Sequence, residues 1–392
     1  MSVPPRSLSS TRLIRSFNVV SVLQTLYREG AASKADITRI TSMSPATVTR
    51  IVSALIEQGL VSEYKIAEST GGRKPIVFRL KDDKLYAVGI QFVRDHVALG
   101  LCDFQGRILT KRLFEPYSLA PENLVAELGK EFELLLAADG VNREHIIGCG
   151  LAITGIVNAG AGNLLQSINL GWHNVELSKI LEDALGFPVV VENDANAAAL
   201  AEFWFGRAKE TPDFMYLKTD GGVGAGIVIN GKLITGPHGM TGEIGHIPIV
   251  EDGHECVCGQ HGCLETYLYA QGLLRRYEVE TGVHLKSVGE FFHLIASGDP
   301  AAVKLKNEAV KAVSLAVSYA ANLLDLDLVI IGGLWGGLGE EFCGRVEENC
   351  CRTIERSGLA KPFRVRGSAL GEDSDILGAV GIVIHKWLTP VI

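Results

Sequence analysis

At 392 residues the chain is too long for one ordinary core and is expected to hold two or three domains. Its 47% hydrophobic and 21% charged residues are those of a soluble globular protein, and no uninterrupted apolar run is long enough to span a bilayer. Residues 1–80 carry 11 Lys/Arg against 5 Asp/Glu, a net of +6, while the rest carries 26 against 40, a net of −14. A basic amino-terminal module on an acidic body points to a polyanion met by the first part alone, although a merely solvated basic surface has the same charge. No apolar signal core follows Met1-Ser2-Val3-Pro4-Pro5-Arg6, so a cytoplasmic location with reduced thiols is the expectation.

The first predicted element is a helix over 12–29, in which Leu13, Phe17, Val20, Leu23 and Tyr27 recur on one face and Gly30 is the stop. Ser33 and Asp36 have the spacing of a capping box opening a short helix through Ile37 and Ile40. Thr41-Ser42-Met43 makes a tight connection, and Ser44-Pro45 opens the next helix with a serine cap and a first-position proline. In that helix Val48, Ile51, Val52 and Leu55 face inward, while Thr47, Thr49, Arg50 and Ser53 face outward. Two short helices of this kind match a helix-turn-helix, and Ser44, Thr47, Thr49, Arg50 and Ser53 are the candidate contacts to phosphates or base edges. Strands at 60–64 and 75–80 flank Ser69-Thr70-Gly71-Gly72-Arg73-Lys74, a basic wing tip whose Arg73 and Lys74 suit phosphates or a narrow minor groove. A winged module of the same shape that binds protein instead of DNA is the alternative.

From residue 85 the pattern becomes α/β. Strands are predicted at 85–92, 97–103 and 107–109 around the turn Phe104-Gln105-Gly106, then a helix over 121–138 and strands at 146–152 and 189–191. The theme recurs with strands at 214–219, 224–229 and 232–234, the last two joined by the hairpin turn Asn230-Gly231. Two similar strand-turn-strand units predict a duplicated α/β core with a cleft between its halves. A helix over 299–325 and a strand at 328–331 ending in Gly332-Gly333 follow.

Within the second half, three of the eight cysteines, Cys256, Cys258 and Cys263, fall in eight residues, with His246 ten residues upstream. Three thiols and an imidazole fill a tetrahedral shell, the usual form of a structural Zn2+ site; a catalytic zinc needs an open position that four ligands leave no room for. His254 and His261 are alternative nitrogen donors, and disulfide pairing is the competing use of the thiols. Cys102, Cys149, Cys343, Cys350 and Cys351 show no framework spacing. Glu243 and Glu265 bracket the motif, so an ion fixing the loop would also fix two carboxylates.

Glu243-x-Gly-His246, Cys256-x-Cys258-Gly-x-x-Gly-Cys263-x-Glu265 and Glu192-Asn193-Asp194-Ala195-Asn196-Ala197 resemble the motifs of the ROK family of repressors and sugar kinases. Over essentially its whole length the chain is most similar to the winged-helix branch that represses sugar-utilisation genes. The resemblance implies a winged helix-turn-helix over 1–80 and an actin/hexokinase-like, ribonuclease H-like two-lobed body. Its first lobe would span 81–197, with a carboxy-terminal helix over 376–392 packed back on it. The second lobe, 198–375, would carry the metal motif and an oligomerisation surface. It implies a sugar pocket built from Asn193, Asp194, Glu243, His246 and Glu265, and zinc on His246, Cys256, Cys258 and Cys263, with His246 serving both. Fixed amides and carboxylates are the groups that tell sugar epimers apart.

In the kinases of the family the position of Asp194 is the general base. The phosphate motifs, however, depart from the family pattern. Gln91-Phe92-Val93-Arg94-Asp95 stands for Asp-x-Gly-Gly-Thr, and Asp220-Gly221-Gly222 for Gly-Thr-Gly, which removes amide approach and adds a negative charge where phosphates would lie. The resemblance therefore implies a sugar-responsive regulator, a repressor with no catalytic residue, that acts as a homodimer or homotetramer on double-stranded operator DNA with a sugar or sugar phosphate as effector. An active sugar kinase with an extra domain, and control by a protein partner, are the alternatives.

Overall fold

The computed structural model describes residues 10–64, 76–81, 84–92, 96–355 and 363–389. The amino-terminal module opens with α1 (Ser10–Glu29), ended by Gly30 at φ +67°. Strand β1 (Ala32–Ser33) leads into α2 (Lys34–Thr41), where Ser33 and Asp36 form the expected reciprocal capping box. Ser42 turns the chain in the left-handed conformation, and Ser44 caps α3 (Pro45–Glu57), its hydroxyl accepting the Thr47 N–H at 3.2 Å. Strands β2 (Val61–Tyr64) and β3 (Val77–Leu80) pair antiparallel, and β1 joins the free edge of β3. This is a winged helix-turn-helix, built where the cap residues and inward-facing periodicity predict it. The wing tip with Arg73 and Lys74 lies outside the described residues, as does 93–95. One expectation for α1 fails: Phe17 is 53% exposed, and among the described side chains the buried positions are Val22, Leu23, Thr25 and Leu26. A single apolar stripe does not describe α1, because its carboxy-terminal half packs on two partners, the winged module and the body.

The body consists of two lobes of one topology. The first runs β4 (Tyr86–Phe92), β5 (Val97–Asp103), β6 (Ile108–Phe114), α4 (Pro121–Asp139) and β7 (Ile146–Ile153). A small antiparallel sheet follows, β8 (Ile156–Asn158), β9 (Asn163–Ser167) and β10 (Trp172–Val175), then α5 (Leu177–Leu185), β11 (Val189–Asn193) and α6 (Asp194–Trp204). The second lobe has β12 (Phe214–Lys218), β13 (Gly224–Ile229), β14 (Lys232–Leu233), α7 (Glu265–Leu268), α8 (Ala270–Thr281), α9 (Val288–Ser297) and α10 (Pro300–Leu324). It ends with β15 (Leu328–Gly332), α11 (Gly333–Gly336), α12 (Glu340–Glu355), β16 (Arg364–Gly367) and α13 (Ser374–Trp387). The sheet orders are β11-β7-β4-β5-β6 and β14-β13-β12-β15-β16. In each, three antiparallel strands are extended by two parallel ones on the far side of the first. Asn230 and Gly231, at φ +52° and +68°, make the hairpin turn expected of that pair.

Helices α6 and α13 form the core between the lobes. A side chain at Gly150 of β7 would stand 1.8 Å from the Ala379 carbonyl of α13, and one at Gly226 of β13 would stand 2.5 Å from the Ala195 carbonyl of α6. Each helix therefore lies with its backbone against one sheet, and they cross each other through Gly378 and Gly381 over Ala197, Leu200 and Ala201. The lobe boundary expected between 197 and 198 falls inside α6, a helix shared by both halves. The last helix, α13, packs on β4 and β7 of the first-lobe sheet.

Candidate functional site

The amino-terminal end of α6 and the loops of the second lobe open on one cleft, a cavity of about 1560 Å3. Asn193 ends β11 and caps α6: its Oδ1 accepts the N–H groups of Ala195 (2.9 Å) and Asn196 (3.2 Å), and its Nδ2 donates to the Gly155 carbonyl. The amide expected to read a sugar is thus first a helix cap, with one N–H left for a ligand. Asp194 accepts from the Thr154 hydroxyl at 2.9 Å through Oδ2 and from the Ala195 N–H through Oδ1. Glu243 and His246 frame a short 3-10 turn, and burial, with Asp194 and Glu265 nearby, pushes the Glu243 carboxyl up against the lowering pull of His246. Glu265 starts α7, and its Oε2 accepts the Val223 N–H at 2.9 Å. Gly155, Gln166, Ile168 and Asn169 of the small sheet and its loops close the first-lobe wall. All five residues expected at the sugar pocket therefore line this one cleft.

Behind His246 lies a cluster of one imidazole and three thiols that could hold a metal ion. The ligand atoms of His246, Cys256, Cys258 and Cys263 are all within 4.8 Å of one another. Cys256 Sγ is 3.6 Å from His246 Nδ1, and Cys258 Sγ is 3.7 Å from Cys263 Sγ. A tetrahedron with metal–sulfur bonds of ~2.3 Å has edges of ~3.8 Å, so these spacings suit one ion at its centre. His254 and His261 are exposed and outside the cluster, which decides between the three histidines. His246 turns Nδ1 to the thiols and Nε2 towards Glu243, at 4.0 Å from its carboxylate. Of the other five cysteines, Cys102, Cys149, Cys343 and Cys350 are buried thiols and Cys351 is half-buried.

Beside Asp194 the floor of the cleft is filled by pairs between its own side chains. Lys218, the last residue of β12, is 8% exposed and sends Nζ to Asp375 Oδ1 at 2.9 Å and to within 3.6 Å of Asp194 Oδ2. Gln91 Nε2 donates to the other oxygen of Asp375. Burial alone would push the Lys218 ammonium down, but Asp194 and Asp375 outweigh it and hold it above the usual lysine range. Asp220 Oδ1 accepts the Leu334 N–H at 2.7 Å, at the start of α11, and burial pushes its carboxyl up. Thr219 donates to the Gly332 carbonyl and accepts the Trp335 N–H. Sequence reading missed Thr154, Lys218 and Asp375; a lysine ending the apolar strand Phe214-Met215-Tyr216-Leu217 was the one available signal.

On the winged module Ser44, Thr49, Arg50 and Ser53 are exposed, and Thr47 is half-buried beneath Ser44, their hydroxyls 2.9 Å apart. Val48, Ile51, Val52 and Leu55 are buried, so α3 presents a polar face bearing one free guanidinium among the described residues.

Comparison with known proteins agrees with this geometry. The xylose repressor of Caldicellulosiruptor bescii is 29% identical, over 96% of this chain and 98% of its own length. A ROK-family transcriptional regulator described as a homologue of the E. coli MLC protein superposes with a TM-score of 0.81 at 23% identity, covering 96% of this chain and 97% of that one. The ROK hexokinase of Thermus thermophilus is 30% identical with a TM-score of 0.65, covering 75% of this chain and 96% of that one. Residues 18–69 match the MarR family, a stretch that holds the helix-turn-helix. Residues 87–386, both lobes with the cleft, the His/Cys cluster and the interlobe helices, match the ROK family, and the chain belongs to it.

Proposed function

We propose that this protein is a sugar-responsive DNA-binding transcriptional regulator, a repressor of carbohydrate-utilisation genes, and not a sugar kinase. One observation carries the reading: a helix-turn-helix is joined to a kinase-like cleft in which Lys218 is ion-paired at the floor and Asp220, standing in the second phosphate motif, accepts the Leu334 amide. A nucleotide phosphate placed there would meet the Asp220 carboxylate, which already holds the Leu334 amide. The repressor named among the relatives spans nearly this whole chain, whereas the hexokinase spans three quarters of it, which supports the same choice.

In this reading α3 enters the major groove and Ser44, Thr47, Thr49, Arg50 and Ser53 contact the duplex, with Arg73 and Lys74 of the wing alongside. A sugar binds Asn193, Asp194, Glu243, His246 and Glu265. A structural Zn2+ on His246, Cys256, Cys258 and Cys263 holds the loop from which Glu243 and Glu265 reach the sugar; Nδ1 of His246 binds the metal and Nε2 faces the hydroxyls. The chain works as three units, 1–80, 81–197 with α13, and 198–375, in a cytoplasmic homodimer or homotetramer. Paired headpieces on a twofold axis require a near-palindromic operator.

The test is fluorescence anisotropy with duplexes from the protein's own upstream region, at several salt concentrations and with a panel of sugars. Sequence-selective, salt-sensitive binding that a sugar relieves is expected. Binding to no duplex at any salt sinks the DNA reading. The second reading, an active kinase, draws on Asp194, which keeps the base position and is oriented by Thr154. A coupled assay with ATP, magnesium and the same sugars decides it: turnover abolished by Asp194→Asn would make the protein an enzyme.

A further inference from the structure

The cleft is acidic although a lysine stands at its floor. Asp194, Asp220, Glu243 and Glu265 all line it, with Asp375 behind Lys218. Among the described residues the cations along its walls are Lys218, Arg275, Arg276 and Lys304. Arg276 is paired with Glu308 and Lys304 with Glu280, both on the outer wall formed by α8 and α10. Arg275 is exposed on α8, where water screens its charge. Lys218 alone is at the floor, and its charge is shared by Asp375 at 2.9 Å and Asp194 at 3.6 Å.

We propose that the cleft takes an uncharged sugar and rejects the phosphate ester of that sugar, and that Lys218, held by Asp375, is the residue that sets this preference. Phosphate recognition needs a cation with charge to spare, or backbone amides left open. Lys218 has no charge to spare, and the Leu334 amide is taken by Asp220. A dianion entering the floor would face Asp194 and Asp220 at close range, in a setting where like charges are poorly screened. A hydroxyl meets no such opposition. It donates to Asp194 and accepts an N–H of Lys218 that Asp375 leaves over, so the ammonium and carboxylate together read one neutral O–H. Gln91 completes the arrangement by fixing Asp375 from the first lobe, which makes Asp375 a positioning residue. The inference rests on the cleft being a sugar site.

Calorimetric titration of the full-length, metal-replete protein with three matched pairs tests it: glucose and glucose 6-phosphate, xylose and xylose 5-phosphate, N-acetylglucosamine and its 6-phosphate. At least one parent sugar is expected to bind, at least about tenfold more tightly than its ester. Asp375→Asn, which releases Lys218 from its closest carboxylate, is expected to raise the affinity of the ester by about tenfold and change the parent far less. In Lys218→Met the ester stays unbound and the parent weakens. Melting curves report whether each variant folds, and the wild-type pairs decide the matter if one does not. An ester bound as tightly as its parent, or more tightly, by the wild type overturns the inference and leaves the cleft a sugar site. Failure of all six compounds to bind removes the sugar reading, and this inference with it.

Discussion

Asp194 shows how one side chain can serve both the fold and the ligand. One oxygen accepts the first amide of α6, and the other accepts the Thr154 hydroxyl and faces Lys218. Asp194→Asn keeps the shape and loses the charge. Sugar affinity is expected to fall about 10- to 100-fold by calorimetry, the size of a lost hydrogen bond to an ionised group, and an unchanged affinity would remove Asp194 from the pocket. Asn193 is different in kind, since its amide oxygen is committed to capping α6.

At the scale of elements, the metal loop and the recognition helix are each held by a few named contacts. The loop between Ile244 and Cys263 has two isolated bridges, Pro248 with Cys263 and Glu255 with His261, and little other regular structure. An ion is the natural organiser of such a segment. Cys258→Ser is expected to lower bound zinc, measured by plasma mass spectrometry, well below one per chain and to weaken sugar binding through Glu243 and Glu265. Retained zinc with unchanged affinity would show that the loop and pocket are uncoupled. In α3 the Ser44 cap and Pro45 fix the start of the helix, and Arg50 projects from its exposed face. Arg50→Ala should weaken operator binding and, if the guanidinium meets a phosphate, reduce the salt slope by about one. An intact slope with altered sequence preference would assign Arg50 to a base edge instead.

At the scale of the molecule, α6 starts in the cleft, α13 starts behind Lys218 at its floor, and both end against the headpiece. Tyr27 of α1 packs edge-on against Phe104 (5.3 Å) and Trp204 (5.1 Å), and Phe104 against Trp387 (5.2 Å). Gln24 donates to the Leu388 carbonyl, and Arg28 lies over the Phe203 ring. A shift of either helix on ligand binding is thereby felt by α1. Tyr27→Ala is expected to leave sugar affinity within about twofold while shrinking the effect of sugar on operator binding, read by anisotropy with and without ligand; an undiminished sugar effect would route the coupling elsewhere. His385 of α13 lies at the same junction, half-buried against Trp204 with its Nδ1 shut off from water, and desolvation pushes its imidazole down to about 4. The unfolded chain takes up that proton below its ordinary value of about 6.5, and the native state does so only near 4. Stability is therefore complete above pH ~6.5 and declines as pH falls towards ~4, by roughly 3 kcal/mol for this group. Urea unfolding at pH 7 and pH 5 should show the decline in the wild type and a smaller one in His385→Phe.

The sequence by itself determined what depends on neighbours along the chain. The Ser33–Asp36 capping box, the Ser44 cap, the inward stripe of α3, the strand-turn-strand repeats, the Asn230-Gly231 turn and the three-cysteine cluster are all short-range patterns, and each is written in residue type and spacing. Tertiary structure decided what depends on groups far apart in number. Lys218 meets Asp375 across 157 residues, Gln91 meets Asp375 across 284, and Gln24 meets Leu388 across 364. No local period records such pairs. The exposure of Phe17, the choice of His246 over His254 and His261, and the sharing of α6 between two lobes follow from the same cause. Burial and pairing are properties of the space between elements, and that space exists only once both sheets have closed on the crossed helices.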